Sequence, residues 1–231
     1  MPLPSNLKRQ QVEQALWKAV FARTFRSAPS VIPKVFQTRI KRLLEIDSTL
    51  FSGQMNKIHA FTTNSVSGQG YERRFSLFDS FMIGFALELL NAGFPQQDTV
   101  FLLQHIRPLL EAPFNQAMTY PVWDRNIRLA EDVLTAPQDS ENPNAADVRV
   151  FVTLSKLDLK ELYSNGSTVQ PIISAPHIFY GYRSLSAFLN QETFYEPHLL
   201  ILEIGAMATC IREAINGTMP ITRGRKSNDG S

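Results

Sequence analysis

The segment Gly70-Tyr-Glu-Arg-Arg-Phe-Ser-Leu-Phe-Asp-Ser-Phe-Met-Ile-Gly-Phe-Ala-Leu-Glu-Leu-Leu-Asn-Ala-Gly-Phe94 carries the clearest local signals in the chain. Ser76 followed three residues on by Asp79 is a capping-box pattern, in which each side chain satisfies a backbone N–H at a helix start. Phe81, Phe85 and Leu89 recur at helical spacing and supply an apolar face. Gly93 stands where a left-handed residue closes a helix, and Phe94 offers the apolar contact after it. Pro95 opens a further helix with Asp98 in its first turn. That helix buries Val100, Phe101, Leu103 and Leu110 or Ile106, and Pro108 ends or kinks it.

Upstream, Lys57–Thr62 and Tyr71–Phe75 are short strand candidates around a turn-rich loop, Thr63–Gly70, so a hairpin is expected. Leu7–Phe21 has Val12, Ala15, Leu16 and Val20 on one face and Ser5 as a cap, a first helix. Pro33 fits the first turn of a second helix running to about Ile46. In it Phe36, Ile40, Leu43 and Leu44 form the buried stripe. Its outer side presents Lys34, Gln37, Thr38, Lys41, Arg42 and Glu45.

Charge singles out this part of the chain. Residues 1–75 hold twelve bases and four acids, 12 − 4 = +8, whereas residues 76–231 hold eleven and seventeen, 11 − 17 = −6. The net charge of +2 therefore conceals a basic module on a mildly acidic body. Such polarity suits a protein that holds a polyanion at one end. Lys34, Gln37, Thr38, Lys41 and Arg42 offer donors for phosphates and base edges, and Arg73 and Arg74 beside the loop reach a neighbouring phosphate or minor groove. Duplex DNA is the expected partner.

Two helices, a hairpin and a third helix make a winged helix. The run from Arg74 through Phe75-Ser76 and Asp79 to Gly93-Phe94 resembles the second half of the MerR-like winged-helix DNA-binding domain. Arg74 corresponds to the wing base, Phe75-Ser76 to the aromatic-Ser pair, Asp79 to the acid at the helix start, and Gly93-Phe94 to the stop. The resemblance covers about 25 residues well and about 80 loosely, roughly residues 33–107. It implies a bacterial transcriptional regulator. The sequence departs from that family in three places. About ten residues separate the first two helices, Leu43-Leu-Glu-Ile-Asp47 stands where a tyrosine-rich segment is usual, and prolines 108, 113 and 121 interrupt any long dimerising helix.

In the second half, Val148, Val150, Val152 and Leu154 alternate with Arg149, Phe151 and Thr153, a strand with one apolar face. Val169–Ser174 reads as a second strand, His177–Asn190 as a helix, Leu199–Ile204 as a third strand and Ala206–Ile215 as a closing helix. Helix throughout Leu199–Ile215 is the alternative. The expected organisation is an α+β chain: a basic, mostly helical winged helix-turn-helix domain over 1–112, an irregular segment and polar linker over 113–145, a small α+β domain over 146–217, and a disordered basic tail over 218–231. With no coiled coil to pair two DNA-reading modules, the valine strand and aromatics of 146–217 are the expected homodimer surface; a monomer packed on itself through the same residues is the alternative.

Other classes find little support. His59, His105, His177 and His198 lack i, i+4 partners for a metal site, and Cys210 lies on an apolar helical face as a buried thiol would. Ser67-Gly-Gln-Gly70 matches neither glycine-rich phosphate motif, and Glu131-Asp132 reads as a solvated pair. No enzyme, cofactor or metal is expected. No signal peptide is expected, because the start MPLPSNLKRQQ has no apolar run behind its charges, and no membrane span, because Asp79, Glu88 and Glu203 interrupt the most apolar stretches; a cytoplasmic location follows. The competing function is a protein–protein or small-ligand-binding module without DNA contact, built on the aromatics Phe151, Phe179, Tyr180, Tyr182, Phe188, Phe194 and Tyr195.

Overall fold

In the computed structural model, Ser76 and Asp79 close a reciprocal capping box. The Asp79 N–H donates to Ser76 Oγ at 3.0 Å, and the Ser76 N–H donates to Asp79 Oδ2 at 2.8 Å. The structure describes residues 6–24, 31–50, 58–62, 73–119, 149–155, 176–191 and 199–218. The capped helix, Leu77–Asn91, is called α3. It follows β1 (Leu7–Lys8), α1 (Arg9–Thr24), α2 (Lys34–Thr49) and β2 (Arg74–Phe75). It is buried nearly all round, with Phe81, Met82, Ile83, Phe85, Ala86 and Leu89 fully enclosed. A helix apolar on every side belongs at the centre of a core.

At its end, Gly93 has φ +87°, Gly93 N–H donates to the Leu90 carbonyl and Phe94 N–H to the Leu89 carbonyl. These are the two bonds of a Schellman motif. Gly93→Ala should therefore lower stability by about 1 kcal/mol through backbone strain. A denaturation midpoint equal to wild type would refute the left-handed assignment.

The wing hairpin is corrected. Arg74–Phe75 pairs antiparallel with Leu7–Lys8, in the register Leu7↔Phe75 and Lys8↔Arg74, so Leu7 and Lys8 form a strand before α1 instead of its first turn. Residues 58–62 form no strand. There Ala60 and Phe61 are both fully buried, whereas a half-buried strand would expose one of two successive side chains. The expected loop 63–70, with Lys57, Tyr71, Glu72 and Ser5, lies outside the described residues.

After α3, α4 spans Gln96–Thr119 and runs through Pro108 and Pro113, where the sequence predicts an end or kink and then irregular chain. Packing decides it. The stripe Val100, Leu103, Ile106, Leu110, Phe114, Ala117 and Met118 stays buried across both prolines. Beyond Pro108, Leu110, Phe114 and Met118 contribute about 1.5–3 kcal/mol each. Together they offset a cost of roughly 3 kcal/mol for each of the two interior prolines.

Among its described residues the second half forms a three-stranded antiparallel sheet, order β4-β3-β5, with β3 at Val150–Ser155, β4 at His177–Tyr180 and β5 at Leu199–Glu203. The helix expected over His177–Asn190 is a strand followed by α5, Tyr182–Leu189. Gly181 makes the switch, with φ +81° and ψ 154°, a conformation open essentially to glycine alone. The last helix, α6 (Ile204–Asn216), follows β5 directly. The predicted Val169–Ser174 strand, the 135–145 linker and the 219–231 tail lie outside the described residues.

The sheet does not keep its apolar face to itself. Val150, Val152 and Leu154 belong to one core with Ile204, Met207, Ala208 and Ile211 of α6 and the central side chains of α1, α2, α3 and α4. Helix α6 packs against α1, α3 and α4, and Arg212 Nη1 donates to the Met118 carbonyl at the end of α4. The valine face expected to hold a second copy is thus covered within the chain. Among the described residues no helix is long and apolar enough to cross a membrane.

Candidate nucleic-acid interface

Helix α2 begins after Pro33, which precedes the helix as its N-cap (ψ 138°) instead of occupying the first turn. Its buried side is Ile40, Leu43, Leu44 and Asp47, with Phe36 half-buried against Trp17 of α1 at 5.2 Å between ring centroids. Helical geometry therefore turns the other residues outward. Lys34, Val35, Thr38, Arg39, Lys41, Arg42 and Glu45 are exposed. Four bases face one acid there, and that acid, Glu45, lies 3.5 Å from Lys41 with both side chains mostly solvated. An exposed i, i+4 pair of this kind is worth a few tenths of a kcal/mol, too little to hold Lys41 from another anion.

Gln37 sits at the edge of this face and is half-buried. Its carbonyl accepts from Arg9 Nη2 at 3.4 Å, while Arg9 Nε donates to the buried Glu13 at 2.6 Å. Two turns further on, Arg73 Nη1 donates to the Leu44 carbonyl at 3.5 Å. The β1–β2 pair is thereby set along one flank of α2. Arg74 is exposed on it, directly opposite Lys8.

Of the seven residues expected to touch DNA, Lys34, Thr38, Lys41 and Arg42 share one exposed face. Gln37 borders it, Arg73 reaches it from just before β2, and Arg74 is on β2. Lys8 and Arg9 join the set unannounced. They were visible as charge, but a strand of two residues has no periodicity to reveal its partner. Arg39, on the far flank of α2, was equally visible as an exposed base.

A buried polar network anchors α2 from behind. Asp47 Oδ1 accepts the Ala60 N–H at 2.7 Å and Gln104 Nε2 at 3.0 Å. Arg107 Nη1 donates to the Ala60 carbonyl at 2.7 Å, and Nη2 to Asp79 Oδ1 at 2.6 Å. Both backbone groups of Ala60 are thus held by side chains, which takes the place of a strand ladder. The Arg107 guanidinium also lies over the Phe78 ring, 4.9 Å from its centroid. His59 Nδ1 stands 3.5 Å from Asp47 Oδ2. The network ties α2, residues 59–60, α3 and α4 together, so the outer face of α2 stands on a rigid base.

The aromatics of the second half mostly face one another. Phe179 and Phe188 have centroids 4.8 Å apart, His177 lies 5.0 Å from Phe188, and Arg149 sits 5.8 Å from both Phe151 and Tyr182. Phe194 and Tyr195 lie outside the described residues. A void of about 10 Å³ between α1, α3 and α6 is lined by Leu16, Gly84, Cys210 and Ile211, far below the volume of a small-molecule pocket. Among the described residues no three His, Cys, Asp or Glu side chains gather as a metal site. No protein-family model, curated protein or solved structure gives a significant match to the chain.

Proposed function

We propose that this chain binds duplex DNA through the outer face of α2 and the adjoining β1–β2 pair, and acts as a bacterial transcriptional regulator. One observation carries the reading: four exposed bases on α2 stand beside Lys8, Arg9, Arg73 and Arg74, a basic surface on a helix fixed from behind. Phosphate contacts made by such a surface supply affinity and register, and a helix of this width enters the major groove. In this proposal the MerR-like, winged-helix resemblance extends to α2 as the reading helix, with the β1–β2 pair standing where a wing would. Homodimerisation through 146–217, if it accompanies DNA binding, uses the outer strands and not the covered valines; Tyr180 and Ile201 are the large apolar residues exposed there.

The test is a gel-shift titration of the full chain on duplex DNA over a range of salt. Lys41→Ala with Arg42→Ala should flatten the slope of log K against log salt by about 0.9 for each phosphate the variant no longer neutralises. Arg183→Ala, an equally exposed charge on α5, should leave the slope unchanged. Equal slopes for wild type and the double variant would refute the assignment of α2. Absence of retention of DNA at any salt concentration would favour the competing reading as a protein or ligand module.

A further inference from the structure

The most exposed large apolar side chains among the described residues are Val31, at 77%, and Val35, at 66%. They lie together, Val31 just before α2 and Val35 in its first turn. Neither helps to hold the fold. Val35, Thr38 and Arg42 follow at i, i+3 and i+7 along the exposed side of the helix, which Glu45 shares. Lys34 and Lys41 flank that ridge on one side and Arg39 on the other. Val35 and Thr38 thus place methyl groups toward the N-terminal end of the helix, with Lys34, Lys41 and Arg39 around them.

Resting on the DNA reading above, we propose that Val35, with Thr38 behind it, recognises the 5-methyl group of thymine in the major groove, and so gives the helix sequence preference as well as affinity. The chemistry is complementary in both parts. The framing bases neutralise phosphates on either side of the groove. The thymine methyl is the one apolar feature on a base edge there, and aliphatic methyls are its ordinary partners. Recognition helices contact base edges with their N-terminal residues, where Val35 stands. An aliphatic side chain on this face offers an apolar contact that phosphates do not use.

The experiment uses the full chain. A randomised duplex pool is enriched by rounds of binding, then prepared in two forms, one with thymine and one with deoxyuridine, which lacks only the methyl. Wild type should bind the uracil form about fourfold more weakly, the ratio expected for losing burial of one methyl group. Val35→Ala should narrow the difference between the two forms and keep the wild-type salt slope. The substitution is exposed and alanine favours helix, so folding is preserved. Salt-dependent binding with no difference between the two forms, or no enrichment of the pool, would overturn this inference and leave the DNA reading standing. Absence of binding to any duplex would overturn both.

Discussion

Arg107→Ala should destabilise the protein by about 3–5 kcal/mol, a large share of what holds a domain of this size folded. Arg107 is 8% exposed, and its partner Asp79 is 3% exposed. Truncation leaves the Asp79 carboxylate buried without its counter-charge and the Ala60 carbonyl without its donor. Leaving an uncompensated charge in the interior is costlier than losing the attraction between the pair. The capping box suffers as well, since Asp79 serves both Arg107 and the Ser76 N–H. Arg107→Lys should be intermediate, because one ammonium does not reproduce a guanidinium's two-pronged reach to Ala60 and Asp79. Urea denaturation followed by circular dichroism reads the difference as a lower midpoint at unchanged slope. A loss below about 1 kcal/mol for Arg107→Ala would show that water reaches the site and that the network does not brace α2.

What was legible in the sequence follows the range of the interactions involved. The Ser76–Asp79 box and the Gly93–Phe94 stop are local, completed within six residues, and both stand as read. The inward stripe of α2 and the alternation of β3 are periodic, and Ile40, Leu43, Leu44, Val150, Val152 and Leu154 are buried accordingly. Elsewhere distant partners decided. Leu7 reads as helix, but Phe75 draws it into a two-residue strand. Pro108 reads as a stop, but the buried stripe beyond it overrides the local cost. His177–Tyr180 reads as helix because its aromatics fit that spacing; pairing with β3 and the turn at Gly181 make it a strand. Arg107 passes unnoticed, because a base inside an apolar helical pattern acquires meaning only when Asp79 and Ala60 are placed against it. For the candidate site, Lys34, Thr38, Lys41 and Arg42 are legible from α2 alone, while Lys8 comes to it through a strand pairing and Arg9 through a hydrogen bond to the Gln37 carbonyl, neither of which has a sequence signature.

Ending the chain after Glu203, which removes α6, should abolish cooperative unfolding of what remains. The sequence divides the chain near residue 112, and a self-sufficient first unit would not notice the loss of a helix near the C-terminus. The packing gives the opposite expectation. Ile204, Met207, Ala208, Ile211 and Ile215 of α6 are buried in the core that Leu16, Phe81, Phe85 and Leu103 also build. The approach to α3 is close. A Cβ placed on Gly84 would lie 2.7 Å from Ile211 Cδ1 and 3.2 Å from Leu16 Cδ2. Deleting α6 uncovers this surface on α1, α3 and α4 and leaves the valine face of β3 without its cover. The single substitution Ile211→Ala tests the same packing more gently. It should cost about 2–5 kcal/mol, toward the upper end because the small void beside Ile211 then enlarges where rigid helices prevent collapse. Differential scanning calorimetry separates the outcomes. A truncated chain that retains a sharp transition within a few degrees of wild type would show that the rest of the chain folds without α6. A broad, featureless profile would show that the basic face of α2 depends for its rigidity on a helix more than 150 residues away in the sequence.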